Sequence, residues 1–345
     1  MRLYWLAGMT RYLFWILFVS VFILPSCSEY RDHYDSEYAH YRDGGYIESS
    51  WWSLRFTLLP SKKVSEDLVD SFDSAKQRIW VEIYTWTEKK TIEAIIRAYR
   101  RWVDTRVILE GNVYSTPRIN DDTYSLLQDV WVPVVFSDNV KYAFTHAKYW
   151  IIDDAYCISS WNFTTSSFQK NRDIIVCDTS LQILDILTTI FQADEKKQRP
   201  VFPWTLHSNI AISPINMRKR LREAILGTKT SIYIFVQSVS DRELLDLLEE
   251  KYRSWVIVKL CRAANNGDEL LSEYSFPIVS VKKPYIHIKA LLIDKKTVLV
   301  GSVNLTENSI ENNREIALVY QDSPFLYNSI EDTFFHDCFP QKFAK

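Results

Sequence analysis

Glycine is scarce in this chain: seven residues in 345. There is little low-complexity sequence, so disorder is not its main state, and no glycine-rich nucleotide loop, flavin fingerprint or zinc-ligand spacing appears. The five cysteines, Cys27, Cys157, Cys177, Cys261 and Cys338, form no CxxC pair. An excess of one charge is lacking too. The 41 Lys and Arg against 43 Asp and Glu give a net charge of −2, which argues against a strongly basic nucleic-acid binder but leaves room for a local basic cleft. What is present is globular: 47% hydrophobic and 24% charged residues, in a length sufficient for one large domain or two small ones. Aromatics reach 14%, with 12 Trp, as core filling or as a membrane- or sugar-facing surface. Cys157 and Cys177 lie in apolar strand-like runs and are expected as buried free thiols, a mutual disulfide being the alternative.

Met1 to Ser28 reads as targeting sequence rather than fold. Arg2 and Arg11 precede Leu13–Leu24, a run of 12 residues apolar except for Ser20, too short to span a bilayer comfortably and suited to a signal-peptide core. It ends in Leu24-Pro25-Ser26-Cys27-Ser28, which resembles a bacterial lipoprotein cleavage site apart from Pro25. That resemblance implies cleavage before Cys27, lipidation of its thiol, and an exported chain held on the periplasmic or cell-envelope side. The alternatives are an uncleaved signal anchor and a leader that is hydrophobic by chance. Residues 29–50 are polar and read as a linker.

The remainder has one plan written twice, in a first half at 51–205 and a second at 206–345. In the first, a strand at Ile79–Tyr84, a helix at Glu88–Trp102 and a strand at Arg106–Leu109 follow one another. In the second, a strand at Ile232–Val236, a helix at Asp241–Arg253 capped by Asp241 or Ser240, and a strand at Trp255–Leu260 repeat the order. Pro200, Pro203 and Pro214 cluster at the break, before a helix at about Asn216–Leu226. Apolar strands alternating with helices predict an α/β fold: two pseudo-symmetric halves, each a mostly parallel sheet flanked by helices, with a site at their interface.

Each half then carries the same phrase. His146-Ala147-Lys148 is followed by Asp153, and His287-Ile288-Lys289 by Asp294, both H-x-K-x4-D. Ser160 and Asn162 follow in one, Ser302 and Asn304 in the other, and then an Asn-Arg-acid step: Asn171-Arg172-Asp173 and Asn313-Arg314-Glu315. The acids stand 27 and 28 residues after the histidines (146 to 173, 287 to 315). With these elements the chain resembles the phospholipase D superfamily from about Ser65 to about Asp322.

The residue types suit cleavage of a phosphodiester. The anion repels nucleophiles and needs positive charge on its non-bridging oxygens and a proton for the leaving alcohol. Histidine serves as nucleophile or acid near neutral pH. On a strand, residues i and i+2 share a face, so each Lys projects beside its His. Asn162 and Asn304 are neutral donors for the same oxygens, and Ser160 and Ser302 are candidate hydroxyl donors. The resemblance implies that the acid of each Asn-Arg-acid step orients a histidine, Asp173 in the first half and Glu315 in the second. It also implies His146 as nucleophile and His287 as general acid. Asp173 is one methylene shorter than the Glu the pattern expects, which predicts a longer or weaker contact. Asp153 and Asp294, counted with the catalytic motif, are expected to act structurally, through turns or the neighbouring half. Ser159 replaces the glycine that Gly301 supplies in the second copy, a change expected to crowd the backbone. Glu82 is a candidate for the cleft or a partner for a lysine, with Gln237 or Phe235 as its counterpart.

The chemistry requires no metal and no cofactor. Anchor and aromatics, Trp51-Trp52 above all, favour a phospholipid at a membrane surface, and two motifs in one chain favour a monomer. The alternatives are a metal-independent nuclease, served by Lys282-Lys283 or the Arg97, Arg100, Arg101 cluster, and a non-catalytic lipid-binding envelope or assembly protein.

Overall fold

A computed structural model describes residues 54–340, apart from 62, 203–208 and 265–268. The expected leader, Cys27, the linker, Trp51-Trp52 and the 205/206 boundary lie outside the described residues.

The first half runs β1 (Arg55–Leu58), α1 (Val64–Ser74), β2 (Arg78–Ile83), α2 (Lys89–Arg100), β3 (Asp104–Leu109), α3 (Asp121–Asp129), β4 (Val134–Phe136), β5 (Lys148–Ile152), β6 (Ala155–Ser159), α4 (Thr165–Gln169), β7 (Asn171–Arg172), β8 (Ile174–Asp178) and α5 (Leu181–Glu195). The second runs β9 (Ile210–Ser213), α6 (Met217–Gly227), β10 (Ser231–Val236), α7 (Arg242–Arg253), β11 (Ile257–Ala263), β12 (Ile278–Val281), β13 (Tyr285–Ile286), β14 (Ala290–Ile293), β15 (Thr297–Gly301), β16 (Glu315–Gln321) and α8 (Pro324–Cys338). Each half builds a seven-stranded sheet of the same order: β1-β8-β6-β5-β2-β3-β4 and β9-β16-β15-β14-β10-β11-β12. The two-half α/β plan is the one expected. Strand direction differs from the mostly parallel expectation: only β2-β3-β4 and β10-β11-β12 are parallel, and the remaining neighbours are antiparallel. The reason is local. Short turns at Asp153-Asp154 and Asp294-Lys296 join β5 to β6 and β14 to β15, and a short turn can only make a hairpin.

β2 and β10 are buried almost throughout because both faces of their sheets are covered. One face of the first sheet packs on α1 and α2 through Ile79, Val81, Trp150, Trp161, Leu68, Phe72 and Ile95. The other meets α5 and the second sheet through Tyr149, Ile151, Ile158, Leu187, Ile212 and Ile316. The helix expectations are close to the observed spans, with Glu88 and Asp241 as N-caps whose side chains accept from Thr91 N and Leu244 N. Three helices end the same way. Trp102, Trp131 and Trp255 adopt φ of 69°, 66° and 67° and donate three residues back, and the next valine donates five residues back. This is the Schellman ending, with tryptophan where glycine is favoured, and the indoles are 94%, 83% and 95% exposed.

The cysteine expectation needs correction. Cys157 and Cys177 face each other on β6 and β8 and form a disulfide, and Cys261 of β11 bonds Cys338 at the end of α8. Cross-strand register, absent from composition, brings the first pair together. Among the described residues no helix is long and apolar enough to cross a membrane.

Candidate active site

The halves exchange backbone next to the catalytic phrases. β7 pairs in parallel with β13, so that His287 N and Ile288 N donate to Arg172 O at 2.9 and 2.6 Å. The mirror contact places His146 N on Arg314 O and Arg314 N on Phe144 O, both at 2.9 Å. Each Asn-Arg-acid step thus lies against the approach to the opposite histidine.

The acids follow their backbones across. His146 Nδ1 bonds both carboxylate oxygens of Glu315 at 2.9 Å, and His287 Nδ1 bonds Asp173 Oδ1 at 2.8 Å. The expected pairing within each half is therefore corrected: the carboxylates orient the histidines of the other half. The contact of the shorter Asp173 is not lengthened either. The close approach of Arg172 to Ile288 brings its main chain in, and Ser160 Oγ fixes Oδ1 at 2.5 Å.

Both serines are buried and committed, which corrects their assignment to substrate. Ser160 holds Asp173 and accepts from Ile174 N, while Ser302 accepts from Ile316 N at 3.1 Å. Asn304 Oδ1 accepts from Ser238 N, so its amide nitrogen is turned away from that backbone contact. Asn162 Oδ1 is buried without a partner. Ser159 does not crowd the first half: its Oγ accepts from Trp161 N at 2.7 Å inside its own loop.

Lys148 and Lys289 are buried, and their ammonium groups donate to the carbonyls of His146 and His287 at 2.6 and 2.5 Å. Burial drives Lys148 well below its ordinary pKa, opposed by Glu315 and reinforced by Lys289. Lys289 is lowered to about 8 by burial, against the pull of Asp173 and Glu315. Burial also lowers His146 to about 4, with Glu315 opposing and Lys148 adding, and lowers His287 in the same way. Two neutral imidazoles, each donating Nδ1–H to a carboxylate, keep a lone pair on Nε2.

Asp153 and Asp294 sit at the far ends of their hairpin strands, five residues and about 16 Å along from the lysines. Asp153 accepts from the backbone of Lys76, Gln77 and Arg78, and Asp294 from that of Lys229, Thr230 and Ser231. They are turn clamps of their own halves, not catalytic groups and not bridges between halves. Glu82 is buried, bonded to Tyr149 OH at 2.7 Å, and raised to about 8 by desolvation and Asp194. It is fully buried, and among the described residues its bond is to Tyr149 and not to a lysine. Glu82 faces Tyr149 as Phe235 faces Ala290, so Phe235 is its counterpart.

Sequence reasoning missed several supports. Arg314 is buried and bonded to Asp194 of α5, Ser213 O and Tyr142, while Arg172 pairs with Asp337 of α8. Each arginine locks onto the last helix of the other half. The aspartates follow their repeat's arginine by 22 and 23 residues (172 to 194, 314 to 337), a matched spacing that could have revealed them. Asn313 Nδ2 steadies Glu315 at 3.1 Å. Buried Glu110 holds the approach to His146 by accepting from Thr145 N, Ser137 Oγ and Asn139 Nδ2, and nothing in the repeat marks it. Among the described residues no cluster of three or more His, Cys, Asp or Glu is gathered as metal ligands.

A family model described as cardiolipin synthase, PLD-like domain, matches residues 68–195 and 221–337. Mitochondrial cardiolipin hydrolase of Homo sapiens is 28% identical over 120 residues, 33% of this chain and 48% of that protein. Cardiolipin synthase A of Buchnera aphidicola is 21% identical over 337 residues, 79% of this chain and 66% of that one. This chain spans about half the length of the curated relatives it first matches. Phosphatidylserine synthase of Haemophilus influenzae has the same fold, with a TM-score of 0.65 at 14% identity, covering 83% of this chain and 86% of that one. Polyphosphate kinase of Porphyromonas gingivalis follows at 0.64 and 15%, covering 81% and 49%.

Proposed function

This chain belongs to the phospholipase D superfamily, and from that premise we propose that it hydrolyses or transfers the phosphodiester of phospholipids through a phosphohistidine. The crossed histidine–carboxylate pairs carry the reading, because they present two Nε2 atoms in one charged, buried centre. His146 Nε2 attacks phosphorus while the bond to the departing oxygen breaks, and Lys148, Lys289, Asn162 and Asn304 offer donors to the non-bridging oxygens. The phosphodiester anion raises the pKa of the histidine it faces, so His287 arrives protonated and delivers that proton to the leaving alcohol. Neutral again, His287 takes a proton from water or an acceptor alcohol, whose oxygen displaces His146 from phosphorus. As pH rises through about 8, Lys289 loses its charge and the phosphate loses one of its positive partners.

The lipid assignment is supported by relatives named for cardiolipin hydrolysis and synthesis, and by the hydrophobic leader ending at Cys27. Two disulfides favour an oxidising, exported location, and a monomer suffices because both motifs share one chain. The test is release of phosphatidate and free headgroup from mixed vesicles by protein starting at Glu29, in EDTA. His146→Ala and His287→Ala are run beside it, with single-stranded DNA in parallel. Lipid turnover abolished in both variants is expected. DNA cleavage without lipid turnover would make the protein a nuclease, and neither activity in folded protein would make it a binding protein.

A further inference from the structure

The two lips of the site differ. Glu82 and Phe235 occupy one rung of their sheets, so two residues on, Tyr84 corresponds to Gln237. Phe144 and Tyr285 correspond as well, each two residues before its histidine.

On the His146 side the wall is aromatic. The Tyr84 ring stands edge-on to His146 at 4.7 Å and lies 5.0 Å below Lys148 Nζ. Phe144 packs on it at 6.2 Å and on Tyr114 at 6.4 Å. The Tyr84 hydroxyl is turned into the loop, where it accepts from Tyr114 N at 2.7 Å.

On the His287 side the wall is polar. Lys289 Nζ donates to Gln237 Oε1 at 3.1 Å, which fixes the amide so that Nε2 donates to Tyr285 Oη at 3.0 Å. The phenol oxygen is an acceptor there, so its hydrogen is left to donate outward. The Tyr285 ring lies roughly parallel to His287, 6.3 Å away. Lys282 and Lys283, both exposed, precede it in the chain. Asp173, the carboxylate behind His287, is buried and already bonded to His287 and Ser160.

In-line attack by His146 places the departing oxygen on the side of His287. We propose that the Gln237–Tyr285 lip receives the departing or entering alcohol and selects a hydroxylated, uncharged alcohol against a cationic one. The proposal rests on the phosphodiesterase reading above. The Tyr285 hydroxyl donates to a further hydroxyl of the alcohol, beyond the departing oxygen, whereas a quaternary ammonium group in that place offers it no acceptor and is repelled by Lys282 and Lys283. The retained, apolar ester lies along Tyr84, Phe144 and Tyr114.

The experiment uses vesicles holding phosphatidylglycerol and phosphatidylcholine in equal amounts, so that both headgroups are offered at one surface. Bis(p-nitrophenyl) phosphate serves as a diester without a headgroup. Glycerol release is expected to exceed choline release at least tenfold. Tyr285→Phe should lower glycerol release about tenfold and leave bis(p-nitrophenyl) phosphate within twofold. Joint Lys282→Glu and Lys283→Glu should narrow the glycerol-to-choline ratio about tenfold. Equal headgroup release by the natural chain, or an equal loss on all substrates in Tyr285→Phe, would overturn the lip assignment alone. Cleavage of the diester with neither headgroup released would overturn it together with the phospholipid assignment while leaving the phosphodiesterase chemistry. Cleavage of no substrate at all, or activity surviving in His146→Ala, would instead overturn the phosphodiesterase reading.

Discussion

Where β6 meets β8 the first half has Ser159 opposite Ile175, and where β15 meets β16 the second has Gly301 opposite Ala317. A Cβ on Gly301 would overlap the Ile316 carbonyl oxygen and lie 2.8 Å from Ala317 Cβ, yet the first half carries a whole hydroxymethyl group there. Two residues earlier Cys157 is bonded to Cys177, and the second half has Leu299 opposite Val319. Asp173 is steadied by Ser160, and Glu315 by Asn313 in addition to the matching Ser302. The histidine contacts nevertheless agree to 0.1 Å, 2.9 against 2.8 Å. What the repeat preserves is the position of a carboxylate oxygen, and each half reaches it by different packing.

Breaking the carboxylates separately should have the largest effect. Glu315→Gln removes the acceptor of His146, and Asp173→Asn that of His287. With bis(p-nitrophenyl) phosphate, whose leaving group needs no proton, Asp173→Asn should accumulate phosphohistidine in rapid-quench samples. Glu315→Gln should form little of it and lose about 10⁴-fold in kcat, the size seen when a catalytic histidine loses its orienting acid. Accumulation in Glu315→Gln instead would assign the nucleophile to His287. Next comes the glycine contrast. Gly301→Ser should cost on the order of 3 kcal/mol in denaturant titrations. Ser159→Gly should cost only about 1, one hydrogen bond. Equal costs would mean that the two strand pairs are as close as each other.

The turn clamps give a smaller and pH-dependent difference. Burial opposes ionisation of Asp153 and Asp294, but the backbone donors outweigh it and hold both below the ordinary aspartate value. Their contribution is complete above the unfolded pKa and is lost as pH falls through the lower folded pKa. Asp294→Ala should destabilise more than Asp153→Ala by about 1 kcal/mol, because Asp294 also accepts from Thr230 Oγ1. The gap should close in acid denaturation below the folded pKa of each. The smallest effect runs in the other direction. Trp102→Gly, Trp131→Gly and Trp255→Gly should each raise stability by about 1 kcal/mol, relieving a left-handed backbone at exposed sites. A lower Tm in any of them would show an indole contact that outweighs the strain.

The sequence made the fold class and the repeated core of the centre legible because repetition at near-constant spacing is a long-range signal. It also counted in Asp153, Asp294 and Glu82, which lie away from the histidines. His146, Lys148, His287, Lys289 and the two acids are where the repeat placed them, and the helices followed apolar periodicity and caps such as Asp241. Which acid serves which histidine was not legible. Spacing within a repeat is the same whether a loop folds onto its own half or its neighbour, and only the β7–β13 pairing decides. The antiparallel hairpins β5–β6 and β14–β15 follow from turn length, which apolar content does not report. The Cys157–Cys177 bond needed cross-strand register, and Glu110 bonds Thr145 N, Ser137 and Asn139, partners at positions that no repeat marks.

The crossing of the carboxylates also sets an order in time. Glu315 lies 169 residues beyond His146 along the chain. A polypeptide emerging from the ribosome therefore displays His146 long before the carboxylate that orients it has been synthesised. Asp173 likewise waits, 114 residues ahead of the imidazole it will hold. Neither imidazole can be armed until almost the whole chain is made and both halves have closed on each other. Truncated or half-folded chains thus lack both crossed pairs, and the centre is completed only as the last act of the chain's own assembly.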